Sequence, residues 1–223
     1  MTIDILTLFP EMFDGFKSSL IGKAEQNNLL KINIINIRDY SKDKHKKTDD
    51  YPFSGGPGML MMPQPIFDAI ESIKGYKKAH KIYMSPKGNV LNMNKVKELS
   101  SDDHLIILCG HYEGVDQRVI DSLIDEEISI GDYVLTGGEL PAMVLIDAIA
   151  RFVPGVLGTL ESTLDESFSG SRLEYPQYTR PQVYRGMKVP DVLVSGNHEL
   201  AKKWKQEQAD IITKKRRPDL MDK

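Results

Sequence analysis

A chain of 223 residues, 40% of them hydrophobic and with a formal charge of −3, can hold one medium domain, or one plus a smaller one, without stapling. Its single cysteine, Cys109, excludes an internal disulfide and a cysteine-rich metal site, and no apolar run approaches a membrane span. The strand-like opening Ile3-Asp4-Ile5-Leu6, with no basic region or apolar signal core, predicts a cytoplasmic protein.

In chain order, apolar runs predict strands at 3–8, 32–37, 81–84, 105–109 and 128–130, alternating with helical patterns at 16–27, 64–74, 92–100, 115–124 and 139–152. That alternation predicts an α/β domain over residues 1–158 with a mostly parallel sheet. Residues 159–174 are mostly Ser, Thr, Gly and acidic types without periodicity, which predicts a flexible linker suited to a lid. Beyond it, 175–223 predicts a small, mainly helical domain, its long helix capped by Ser195 or Asn197 and stopped before Pro218.

The charge is unevenly placed. Residues 1–174 carry 18 basic and 26 acidic side chains, net −8, whereas 175–223 carry 11 and 6, net +5. Lys214-Lys215-Arg216-Arg217, with Lys202, Lys203 and Lys205 around Trp204, suits phosphate backbones, although a solvated helix face gives the same pattern.

The most informative segment is ISIGDYVLTGGELP at 128–141. Gly131, Gly137 and Gly138 permit backbone approaches closed to other residues, and Pro141 sits in the first turn of an apolar helix. Tight packing alone explains such a turn as well as ligand binding does. Two further turns follow predicted strands, Tyr83-Met84-Ser85-Pro86-Lys87-Gly88 and Cys109-Gly110-His111-Tyr112-Glu113-Gly114. Ligands of open α/β sheets bind beyond the carboxyl ends of strands, so adjacent strands would merge all three turns, including Ile130 to Leu135, into one pocket. Backbone groups there can read a base edge, while Leu135, Tyr133 and Met84 cover its faces, as an adenosine-like ligand needs. Phosphate-loop, dinucleotide, nucleophile-elbow and HExxH signatures are absent.

The segments DDYPFSGGPGMLMMPQPIFDAI, LCGHYEGVDQRV and ISIGDYVLTGGELPAMVLIDAIARFVPGVLG, with LVSGNH at 193–198, resemble the bacterial tRNA (guanine-N1)-methyltransferase family. The match runs from about Phe9 to Pro218 in the family's order and spacing. The resemblance implies a SPOUT-type sheet with a deep trefoil knot, a homodimer with active sites at the subunit interface, and methyl transfer from S-adenosylmethionine to N1 of guanosine 37 in tRNA. It implies a cofactor site at Tyr83, Met84, Ser85, Pro86, Gly110, Tyr112, Glu113, Gly114, Ile130, Gly131, Asp132, Tyr133, Val134, Leu135, Gly137, Gly138 and Pro141. Arg151 matches the family's active-site arginine. Glu166 stands where the family has the catalytic aspartate, with Asp165 beside it. The family's activity is magnesium-assisted, which nominates Glu113 as a ligand. RNA contacts are expected at Asp50, Ser54, Gly55, Met59, Ser195, Asn197, His198, Lys214 and Arg216. A knotted methyltransferase with another target, or a catalytically weak tRNA-binding protein, would share most of these features.

Overall fold

The computed structural model describes residues 1–53, 55–158 and 166–221, apart from the Lys17 side chain. The chain divides into two compact units, Met1–Gly158 and Thr159–Lys223.

In the first unit, β1 (Thr2–Thr7) leads through a 3-10 turn at Pro10–Ser18 into α1 (Leu20–Gln26) and β2 (Lys31–Asn36). The helix expected at 16–27 is thus split. Ser19 is extended there, and its hydroxyl accepts from the Ile21 N–H, which restarts the chain as a capped α-helix. The short pair β3 (Asp49–Asp50) and β4 (Leu60–Met61) brackets a glycine-rich loop and precedes α2 (Pro63–Ser72). Then come β5 (His80–Val90), α3 (Met93–Leu99), β6 (His104–Cys109), α4 (Gln117–Leu123), β7 (Glu126–Ser129) and α5 (Glu139–Ala150).

The main sheet runs β2-β1-β6-β5-β7 and is parallel throughout. A parallel sheet is covered on both faces, so its inner strands read as continuous apolar runs. The period of two then sorts them. Ile3, Ile5, Ile82, Met84, Leu105, Ile107 and Cys109 pack with α1, α3 and α5, whereas Leu6, Tyr83, Ile106 and Leu108 pack with α2 and α4. Both layers are buried hydrophobic cores.

β5 is longer than its apolar run predicts. Met84 and Asn89 both register with Ile128, so Ser85 to Gly88 form a wide bulge inside the strand instead of a turn after it. Gly88 makes this possible: a Cβ there would overlap the Glu127 and Ile128 backbone.

In the second unit, a hairpin of β8 (Val183–Tyr184) and β9 (Met187–Lys188) precedes α6 (Asp191–Val194) and α7 (His198–Arg216). Asn197, not Ser195, caps α7 by accepting from the Leu200 N–H. Residues 166–174, expected in the linker, are tied to α7. The Leu173 N–H donates to Thr213 Oγ1 at 2.8 Å, and Arg172 pairs with Asp210 at 2.7 Å. Among the described residues no helix is long and apolar enough to cross a membrane.

Candidate functional site

Because β6, β5 and β7 are neighbours, their carboxyl ends place the 110–114 turn, the 85–88 bulge and the 130–138 turn side by side. The last of these does not stay at the sheet edge where β7 lies. It returns past β5 to β6, where the Gly138 N–H donates to the Gly110 carbonyl at 2.8 Å and Gly137 bridges His111. Gly138 then opens α5.

Close approach explains the glycines. A Cβ on Gly138 would stand 2.8 Å from both Cys109 Cα and Gly110 N, and one on Gly110 would stand 2.7 Å from the Tyr83 hydroxyl. Tyr83 itself is buried, and that burial, followed by the charge of Glu127, pushes its hydroxyl up to about 12, so it stays a donor at every physiological pH. Cys109 is fully buried, and desolvation, followed by Glu139, pushes its thiol well above its ordinary value. It is inert.

The expected pocket residues divide by exposure. Met84 and Ser85 are buried, and Met84 belongs to the core, so it underlies the pocket and does not cover a ligand face as expected. Ser85 Oγ accepts from the Lys87 N–H, which shapes the bulge around the exposed Pro86. Tyr112, Glu113, Asp132, Tyr133, Val134 and Leu135 are exposed, with Val134 at 80%, while Ile130, Gly114, Gly131 and Pro141 are half-buried. Tyr112 holds a left-handed backbone at φ 59°, uncommon for a bulky residue and a common signature of a functional turn.

The glycine-rich loop before β4 is stitched to this turn. The Glu113 N–H donates to Met59 O and the Met61 N–H to Gly114 O, while Gly58 lies so close to the Glu113 side chain that a Cβ would overlap it. Asp50 accepts from the Tyr51 N–H, and this bond, with Lys47 beside it, holds its carboxyl below the usual range. Gly55 closes a turn on Pro52 O. Tyr51 and Phe53 point outward, Phe53 fully exposed. Phe53 was not among the site residues expected from the sequence. Ser54 lies outside the described residues, as does Asp165.

Other expected residues belong to other elements. Arg151 caps the far end of α5, about 20 Å along the helix from Gly138 at 1.5 Å per residue. Glu166 belongs to the second unit, where its carbonyl accepts from the Ser169 N–H. Ser195 and Asn197 spend their side chains on local turn and cap bonds, Ser195 Oγ donating to Val192 O. His198 starts α7, and Lys214 and Arg216 are exposed in its last turn. Lys205 lies over the Tyr175 ring at 4.6 Å and Trp204 lies near Tyr178, giving this unit an aromatic and basic face.

Tyr133, Val134 and Leu135 are exposed on the turn whose glycines pack against β6, the kind of apolar rim that an adenosine body requires. The donor set for a metal is thinner. Among the described residues no group of three His, Cys, Asp or Glu side chains converges, which leaves Glu113 a single carboxylate.

The family described as tRNA (Guanine-1)-methyltransferase TrmD matches this chain over residues 1–223. A tRNA (guanine-N(1)-)-methyltransferase from Ruminiclostridium cellulolyticum is 59% identical over 226 aligned positions, covering 100% of this chain and 97% of the relative. Proteins of the same name from Clostridium perfringens and Caldanaerobacter subterraneus subsp. tengcongensis are 56% and 55% identical, each covering 100% of this chain and 94% and 92% of the relative.

Proposed function

The chain belongs to the tRNA (guanine-N1)-methyltransferase family, and from that premise we propose that it methylates N1 of guanosine 37 in tRNA, beside the anticodon, with S-adenosylmethionine as donor. The observation that carries the donor site is the glycine cradle where the 130–138 turn crosses back onto the end of β6. The same return path, from edge strand β7 over β5 to β6, supports a trefoil-knotted chain, a topology close to absent elsewhere.

The bound donor supplies an electrophilic methyl group. What remains for the protein is alignment and removal of the guanine N1 proton. We assign the proton to the carboxylate of Glu166, with Asp165 as the alternative acceptor, and the negative charge developing on guanine O6 to Arg151. Glu113 is the pocket carboxylate we nominate for a magnesium ion, which would have to arrive with its other ligands on the substrate, so no step is assigned to it.

Arg151 and the glycine cradle sit at opposite ends of α5, which favours a homodimer whose active sites draw on both copies. α5 supports this independently. It is apolar nearly all round, yet Leu140 and Val144 are half exposed one turn apart, a stripe that a monomer would leave in water. The basic, aromatic second unit suits tRNA phosphates and unstacked bases. Action on tRNA supports a cytoplasmic location.

Methyl transfer to an anticodon stem-loop carrying or lacking the guanosine after the anticodon tests the reading. Transfer confined to the first, with 1-methylguanosine as product, is expected. Equal transfer to both, or a 2′-O-methyl product, would replace it with the related knotted enzymes. Turnover too slow to detect with intact tRNA binding would favour a tRNA-binding protein.

A further inference from the structure

Four residues around the end of β6 form a ring of contacts with one gap. The Phe9 N–H donates to Thr7 Oγ1 at 2.9 Å, and the Thr7 hydroxyl donates to Glu139 Oε1 at 2.8 Å. The Phe9 ring packs on the His111 imidazole with centroids 4.8 Å apart. Between His111 and Glu139 the ring is open. His111 Nδ1 is buried with no hydrogen-bond partner among the described residues, and Glu139 is 2% exposed.

Gly137 defines the gap. The position its missing Cβ would occupy lies 2.9 Å from His111 Nδ1 and closer still to Glu139 Oε2, so both atoms face one space too small for a methyl group. A buried ring nitrogen without a partner is costly, and joining it to Glu139 needs only a small approach of the 110–114 turn to the start of α5. Those two segments are walls of the donor pocket.

We propose that donor binding closes His111 Nδ1–H onto Glu139 Oε2, making His111 and Glu139 positioning residues that clamp the 110–114 turn against the 137–139 turn. This rests on the donor-site reading above. The bond is made in the occupied state, so it stabilises the complex and leaves the empty protein nearly unaffected. Tyr112 and Glu113 follow His111 in the same turn, and the clamp fixes where they stand. Any side chain at 137 would fill the path of the bond.

The test uses the full chain and S-adenosylhomocysteine as probe. His111→Phe keeps the ring shape against Phe9 and removes the nitrogen, whereas His111→Asn keeps a donor near the Nδ1 position. The expected result is about tenfold weaker probe binding and a similarly raised donor KM in His111→Phe, with kcat within twofold and an unchanged melting temperature without probe. His111→Asn should recover most of the binding. In the parent, adding the probe should produce a slowly exchanging Nδ1 proton in the nitrogen-15 spectrum. Equal affinity in parent and His111→Phe, or no new imidazole proton in a probe-saturated parent, overturns the clamp and leaves the donor site standing. Failure of the parent itself to bind the probe overturns the donor site and the clamp together.

Discussion

Gly138 lies against Cys109 so closely that an added Cβ would stand 2.8 Å from the Cys109 α-carbon. The neighbour is backbone within a central strand, so nothing can rotate away. Gly138 has an ordinary helical φ of −84°, which means the cost of a side chain is overlap and not backbone strain. Gly138→Ala should destabilise by about 1–3 kcal/mol and impair donor binding, because the helix start must move outward. Urea melts and calorimetry with S-adenosylhomocysteine measure the two effects; an unchanged midpoint would mean the turn has slack.

Thr7 reaches across 132 residues to satisfy a nearly buried carboxylate. Thr7→Val preserves shape, removes the donor to Glu139 and leaves the Phe9 N–H without its acceptor. A loss of about 2 kcal/mol is expected in denaturant unfolding, since the penalty is that of buried groups left unpaired.

Such pairs mark the limit of what the sequence conveys. β1 and β6 were legible because both faces are covered and the runs are continuously apolar, and the end of α7 was legible because Pro218 forbids continuation. β5 was cut short because Pro86 and Gly88 read as turn punctuation, whereas both sit in a bulge that keeps the strand paired to Val90. The pocket glycines stood out as residue types. Strand adjacency, on which their convergence depends, is a property of long-range pairing that no local period encodes. The Thr7–Glu139 bond and the unjoined His111 were invisible for the same reason, although His111 lay inside a turn already singled out.

Lys81 and Asp125 give a pH-dependent contribution. Burial works against ionising Asp125, but the Lys81 ammonium at 2.8 Å and the Lys81 N–H outweigh it and hold the carboxyl below its ordinary value of 3.8. A depressed carboxylate stabilises the fold above its unfolded value, and that stability is lost as pH falls through the lowered one. Asp125→Asn should therefore cost on the order of 0.5–1 kcal/mol at pH 7, a figure reduced by solvent screening because the Asp125 side chain is 48% exposed, with the gap to the parent closing as pH falls below the ordinary value of 3.8 and through the lowered one. Melts across that range check it; a gap constant with pH would remove the ion pair as the cause.

Glu166→Gln should reduce methyl transfer about 100- to 10,000-fold while donor affinity stays within twofold, the signature of a lost proton acceptor. Single-turnover rates beside calorimetric affinities separate the two. Near-normal turnover would move the role to Asp165.

Phe53 is fully exposed beside a loop stitched to the 110–114 turn. Phe53→Ala should leave the melting temperature unchanged and raise the RNA KM about tenfold, since one base–aromatic stack contributes about 1–3 kcal/mol. An unchanged KM would leave the ring without a substrate role.

The separation of the glycine cradle from Arg151 by the length of α5 has a consequence at the level of mixed populations. Subunits disabled in the cradle, for example by Gly110→Val, and subunits disabled by Arg151→Ala are each inactive as pure pairs. Mixed and allowed to exchange partners, half of the pairs become hybrids in which one site unites an intact cradle with an intact arginine. Activity should then return to about a quarter of the parent's, a complementation that a site built within one chain cannot produce.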